Sequence, residues 1–393
     1  MRRLAEFILD HTKLMMLGFT AIVLATLAWI PKNQLNDVLL YYFSEDFEFR
    51  RDTDFTTENL TGMYFIEYGL SAGEENGINN PAFMRELDRF ARWFREQEEV
   101  LHVNVVTDVV KRVNKAMNDD AWRSYVIPGD PDSVAQLLLV YEMSLPYGLD
   151  LNDQVDVTRS GVRMTVTTRT LSSAELIALE ERAQAWLLSH SSQMDATLPT
   201  GGFTLFSHVA EQNIRSMLLA TAIALVLISD LLILALSSVP FGLLSLIPNF
   251  LPIAMGFGVW GVTMGEIGLS LSIVSSMTLG IVVDDTVHML SKYLRARREL
   301  GLSSRDAVIY AYETVGGALV ITSAVLVLGF LVLATSDFNL NATMGMLTAL
   351  IIALALFVDL FFLPPLLVVL DKITHLVDED DEDPYATMKR VAK

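Results

Sequence analysis

The sequence contains no cysteine. That excludes a disulfide framework and any thiolate metal site. Basic charge is also scarce: 28 Lys and Arg stand against 47 Asp and Glu, for a formal net charge of −19. This balance argues against nucleic acid as a partner. No phosphate loop of the Walker type occurs, so direct ATP hydrolysis is not expected. The segment 32–215 shows no clustered Ser/His/Asp set and no metal-ligand spacing. Neither an enzyme nor a bound cofactor is expected, although residues distant in sequence can meet in space.

Apolar residues, in contrast, make up 52% of the 393 positions and gather in long blocks, mostly after residue 215. Several blocks reach the length of about 20 residues that crosses a bilayer. Six transmembrane helices are expected, at 14–30, 217–237, 243–263, 270–290, 318–336 and 343–370. The first also has the basic start and apolar middle of a signal peptide. Its length, and an end at Trp29-Ile30-Pro31-Lys32 without small residues for cleavage, favour a retained anchor. Pro248, Pro252, Pro364 and Pro365 fall within the third and sixth segments; membrane helices tolerate them because neighbours re-satisfy the freed carbonyls.

Basic residues near the helix ends set the orientation. Arg2, Arg3 and Lys13 precede the first segment, Lys292, Arg295, Arg297, Arg298 and Arg305 lie between the fourth and fifth, and Lys372 follows the sixth. Six crossings put all three groups on one side, read as cytoplasmic. The turns at 264–269 and 337–342 then fall outside and hold no Lys or Arg.

The domains expected are therefore a cytoplasmic N-terminus with the first helix (1–31), an exterior domain (32–215), helices two to six (216–371) and an acidic cytoplasmic tail (372–393). Strands are expected at 63–69, 100–106 and 162–169, and helices at 81–96, 108–117, 133–143 and from 172 to about 189. Asn80 with Pro81, and Ser172 or Ser173 with Glu175, are the expected caps. With a closing strand at 203–206 this makes two strand–helix–strand units, an α/β domain of the split βαβ kind inserted between helices one and two. The segment 294–314 reads as an amphipathic helix at the cytoplasmic interface, closed by Gly316-Gly317 before the fifth span. The acidic run 378–383 reads as a solvated tail.

The fourth segment carries Asp284, Asp285 and His288. Paired carboxylates in a spanning helix need a polar cavity or a partner. Asp284 and His288 are four apart and share a face, with Gly280 one turn earlier on that face permitting close helix approach. Asp285 points about 100° away. Asp359 lies in the sixth segment and Asp230 in the second. The functional reading is a proton relay of Asp284, Asp285 and His288, joined by Asp359. The alternative is structural: the groups hydrogen-bond helices together without turning over. Asp230 is read as structural. A metal site is disfavoured, because no second histidine is near. Tyr41, Tyr42, Phe43 and Phe47 follow the first helix and either sit at the outer interface or line a substrate entry.

The order of one helix, a large exterior domain and five helices resembles one half of a resistance–nodulation–division (RND) transporter, in the MMPL-like and sterol-sensing-domain-like branch. The stretch 246–253, Leu-Ile-Pro-Asn-Phe-Leu-Pro-Ile, looks like that branch's third-helix signature, and Gly280 through His288 like its fourth-helix signature. The piece 171–176 resembles a recurring part of its exterior domain. The wording at Asp285-Thr286-Val287-His288 is closer to the C-terminal half. The resemblance implies a bacterial inner-membrane protein with a porter-like domain in the periplasm. It implies proton-coupled export or transfer of hydrophobic or amphiphilic molecules, often lipids, with Asp284 and Asp285 at the relay position. It also implies a second RND half, by homodimerisation, from a separate chain or from a further part of a longer protein, and a periplasmic partner. The alternative is a lipid-sensing or scaffolding module that transports nothing.

Overall fold

Apolar length dictates the architecture of the helical unit. The computed structural model describes residues 1–146, 150–195 and 197–374. Within these residues six helices are long and apolar enough to cross a membrane: Thr12–Lys32, Gly202–Leu236, Val239–Thr263, Leu269–Arg298, Ser304–Leu333 and Asn339–Asp371. The chain divides into two compact units, one of Met1–Leu35 with Gln212–Lys393, the other of Asn36–Glu211.

In the helical unit the third, fourth and sixth spans form the centre, and the first, second and fifth are mostly exposed. Small residues let the backbones meet. A Cβ at Gly258 would collide with the Thr26 carbonyl of the first span, and one at Gly345 would lie 2.7 Å from the Phe330 carbonyl oxygen of the fifth. Polar contacts collect the basic segments at one end of the bundle. Arg305 meets Asp10 at 2.5 Å, Arg297 meets Asp371 at 3.2 Å, and Arg298 Nη1 donates to the Leu236 carbonyl at 2.8 Å. At the other end Gln34–Leu35 pairs in parallel with Glu266–Ile267.

Two features differ from the sequence reading. A helix at Arg2–Asp10 precedes the first span and buries Ala5, Ile8 and Leu9. Five of its nine residues are apolar, a run too short to cross a bilayer. The amphipathic interfacial helix expected at 294–314 does not exist as a separate element. Its first residues complete the helix Leu269–Arg298. The chain turns at Gly301 (φ +62), and Ser303 caps a helix that runs from Ser304 through a π turn at Tyr312–Gly316 into Gly317–Leu333. Gly316 and Gly317, read as a stop, lie inside this span. A glycine costs a helix about 1 kcal/mol against alanine. Here it makes room instead, since a Cβ at Gly316 would lie 2.9 Å from the Met1 methyl group.

In the α/β unit, three strands, Tyr64–Ser71, Val100–Asn104 and Gly161–Thr168, form one sheet with the third in the middle and antiparallel to both others. The outer strands are therefore parallel and are joined by the helix Pro81–Arg95, a split βαβ arrangement. Alternation on the first strand buries Tyr64, Ile66, Tyr68 and Leu70. They pack with Phe83, Leu87, Phe90 and Phe94 of that helix and with Leu176, Leu179, Ala183 and Leu187 of Ser173–His190. Burying each large apolar side chain stabilises by about 1.5–3 kcal/mol. Both helices are capped. Asn80 Oδ1 accepts from the Ala82 N–H at 2.9 Å, and Ser172 and Glu175 form a reciprocal capping box. Such caps contribute about 1 kcal/mol each.

The closing strand expected at 203–206 is helical: these residues open Gly202–Leu236. Phe203 and Phe206 are three apart, a helical spacing, and Gly201 (φ +128) makes the turn before them. A single bridge from Thr200 to Glu67 takes the edge position instead. A helix at Glu48–Asn59 was not legible from its polar sequence. The acidic run 378–383 lies outside the described residues.

Candidate functional site

The fourth span places two adjacent carboxylates at its middle. Successive helical residues diverge by about 100°, so Asp284 and Asp285 enter different surroundings. Asp285 turns inward and is only 9% exposed; Ser323 Oγ of the fifth span donates to its Oδ2 at 3.1 Å. The next residue, Thr286, is wholly buried. Its Oγ1 donates to Asp359 Oδ1 of the sixth span at 3.0 Å. Asp359 is 1% exposed, and its Oδ2 is buried without a hydrogen-bond partner among the described residues.

Asp284 turns outward. Its side chain is 73% exposed and stands 3.5 Å from His288 Nε2. Gly280 lies on the same face, with nothing within 4 Å of the position a Cβ would take. The residues singled out from sequence thus split into two groups. Asp285 and Asp359 are both buried in the bundle, each hydrogen-bonded to a hydroxyl of another span. Gly280, Asp284 and His288 form a stripe on its outside. Asp284, Asp285 and His288 do not converge on one point. Asp230 is exposed, while its neighbour Ser229 is buried and donates to the Gly242 carbonyl at 3.0 Å.

Three hydroxyl groups were not anticipated: Thr286, Ser323 and Tyr312. Tyr312 is wholly buried, and its hydroxyl donates to the Leu360 carbonyl, one residue beyond Asp359. Ser323 had a signal in the sequence, as one of the few polar residues in an apolar span.

The same helical unit contains an apolar cavity of about 430 Å³, lined among others by Leu225, Ile253, Phe257 and Leu279, with Asn33, Thr221 and Ser275 as its polar residues. Asn33 Nδ2 donates to the Phe257 carbonyl at 2.8 Å, while Asn33 Oδ1 is buried without a partner among the described residues. The volume falls within the range of small-molecule sites.

In the α/β unit the aromatic residues proposed as a substrate entry are partly engaged with one another. Tyr42 donates to Asp37 Oδ2 at 2.7 Å, Phe43 stacks edge-on against Phe47 with centroids 5.6 Å apart, and the Arg50 guanidinium sits 4.5 Å over the Tyr41 ring. Tyr41 and Phe47 keep exposed surface. Glu180 is buried, and burial pushes its carboxyl up against the lowering effect of His208, whose Nε2 lies 2.7 Å away. Glu86 is buried as well. Burial works to raise it, but hydrogen bonds from the Gln193 and Ser192 N–H groups prevail and hold it below the usual carboxyl range.

The profile of the MMPL family matches residues 162–387, which include every relay candidate. The chain belongs to the MMPL family. With six spans and one α/β unit, this MMPL protein has the make-up of one half of an RND-type chain. It is also 26% identical over 155 residues to a membrane protein of Methanocaldococcus jannaschii. That match covers 39% of this chain and 40% of the relative, so the MMPL chain spans well under half of that relative's length.

Proposed function

We propose that this MMPL protein is one half of a proton-coupled RND-type transporter. It exports or transfers hydrophobic or amphiphilic molecules, lipids among them, at the inner membrane, and it is not an enzyme. The observation that carries this reading is the burial of Asp285 and Asp359 within the spans, each held by one hydroxyl of a neighbouring span, Ser323 for Asp285 and Thr286 for Asp359. A charge in hydrocarbon costs about 3 kcal/mol even on the mildest scale. Proton gain or loss at such carboxyls therefore changes which helix arrangement is stable, and this couples a proton to movement.

The outward stripe of Gly280, Asp284 and His288 supports the need for a second half. Asp284 stands midway along Leu269–Arg298, where lipid contact is unfavourable. A second copy of the chain, or a separate partner half, covers that face. The basic residues Arg2, Arg298 and Arg305 support a cytoplasmic side for their end of the spans and a periplasmic, porter-like role for the α/β unit. The apolar cavity suits an acyl chain or a similar apolar group.

The test uses the full chain reconstituted in vesicles with a pH-sensitive dye inside. Asp285→Asn and Asp359→Asn are expected to fold and to lose coupled proton flux. If Asp284→Asn with Asp285→Asn leaves the cellular function intact while a lipid probe still binds, the chain is a lipid-sensing module instead.

A further inference from the structure

The sixth span breaks its α-helical pattern where Asp359 sits. Residues Val358–Phe362 form a π turn, in which the Leu363 N–H donates to the Val358 carbonyl. The sequence supplies the reason. In an α-helix the Leu360 carbonyl would accept from residue 364, and in a π turn from residue 365. Both are proline and have no N–H. A buried carbonyl left without a donor costs about 1–3 kcal/mol. Tyr312 fills the gap: it is wholly buried and its hydroxyl donates to that carbonyl. Tyr312 itself opens a second π turn, Tyr312–Gly316, in the fifth span. π turns inside helices frequently mark functional positions.

We propose that Tyr312 is the positioning residue for Asp359: its hydroxyl replaces the backbone donor that Pro364 and Pro365 withhold from Leu360, and this holds the turn that aims the Asp359 carboxyl at Thr286. The inference rests on the reading of Asp359 as a proton-relay group. A role in packing alone needs only the ring, and phenylalanine provides that. The hydroxyl is placed on the carbonyl that loses its donor in either helical pattern.

The groups around Asp359 are few. The fourth span brings Thr286 at hydrogen-bond distance and Asp285 within electrostatic range, and the fifth brings Tyr312. The first span stacks Phe19 on Phe362 at 5.2 Å. The third span, which also packs on the turn, contains no Asp, Glu, Lys, Arg or His. A change at Tyr312 therefore reaches Asp359 against a nearly uncharged background.

The test is infrared spectroscopy of the full chain in lipid nanodiscs as a function of pH. The Asp359 carboxyl band is identified by its loss in Asp359→Asn. Its frequency reports the hydrogen bond to Thr286, and its intensity reports protonation. Tyr312→Phe is expected to shift the frequency and to move the titration midpoint by about one pH unit, the scale of one hydrogen bond redistributed. Leu319→Ala, which cuts the same core without touching the hydroxyl, is expected to lower the melting temperature and leave the band in place. Adding Pro364→Ala to Tyr312→Phe returns an N–H to Leu360 and is expected to move the band back toward its original frequency. An unchanged band in Tyr312→Phe overturns the inference, as does a double variant no closer to wild type than Tyr312→Phe. If the band never titrates, the proton-relay reading fails, and the frequency alone still decides the positioning role.

Discussion

Thr286 donates to Asp359 across 73 positions of sequence, at 3.0 Å, with both side chains fully enclosed by the helices. The contact ties the fourth span to the sixth. It also leaves Asp359 with one oxygen engaged and one open, an arrangement in which arrival or departure of a proton alters the helix contact itself.

Thr286→Val keeps the shape and removes that donor. Asp359 then has neither oxygen paired by Thr286. Stability is expected to fall by about 1–3 kcal/mol, read as a lower melting temperature in detergent. Proton flux in vesicles is expected to drop at least roughly tenfold, equivalent to about 1.4 kcal/mol. Wild-type flux in Thr286→Val would show that the contact is only structural.

The outward stripe is open to a direct chemical test because the chain has no cysteine. Gly280→Cys places a lone thiol on the face where nothing lies within 4 Å. If a second copy covers this face, mild oxidation of membranes is expected to give a disulfide-linked dimer. Cysteine at Leu328, on the exposed side of the fifth span, serves as the control and is expected to stay monomeric. Absence of the dimer in Gly280→Cys, with the thiol still reactive, points to a second half of different sequence.

The α/β unit has its own pH dependence. The folded state holds Glu86 below the ordinary carboxyl value, because hydrogen bonds from Ser192 and Gln193 outweigh its burial. A depressed carboxyl contributes stability that is complete above its unfolded value and is lost as pH falls through its folded value. Protection of the Ser192 and Gln193 amides, taken as hydrogen exchange relative to the intrinsic rate at each pH, is expected to be greatest above that window and to fall below it. In Glu86→Gln the acid dependence of this protection is expected to disappear. Glu180 has the opposite sign: burial raises it, so its contribution is complete at low pH and fades as pH rises through its folded value.

Filling the apolar cavity tests the substrate class. Ala222 lines it and is exposed, so Ala222→Phe is expected to fold. Labelling by a photoreactive fatty-acyl probe is expected to fall about tenfold, which corresponds to about 1.4 kcal/mol of lost binding. The Asp359 infrared band is expected to stay where it is. Equal labelling in both proteins would remove this cavity as an acyl site.

Much of the local structure was legible. The six spans follow from apolar length, Asn80 and the Ser172/Glu175 pair announce their helix starts, and the fourth-span motif carries the family resemblance. The errors arose where local pattern and tertiary contact compete. Gly316-Gly317 resembles a helix stop, yet it is the place where the N-terminal residue packs close. Phe203 to Phe206 resembles a short apolar strand, yet the residues that follow extend it into a 35-residue helix.

Sequence by itself determined that carboxyls lie within a hydrocarbon-length helix, since length and composition are properties of the chain alone. It also determined that Asp284 and Asp285 diverge, because a helix turns about 100° per residue. Only the tertiary structure decided which of the two enters the bundle, because that depends on where Ser323 and Asp359 arrive from distant parts of the chain. The same holds for Tyr312: two prolines announce an open carbonyl, but only packing of the fifth span on the sixth supplies the hydroxyl that closes it.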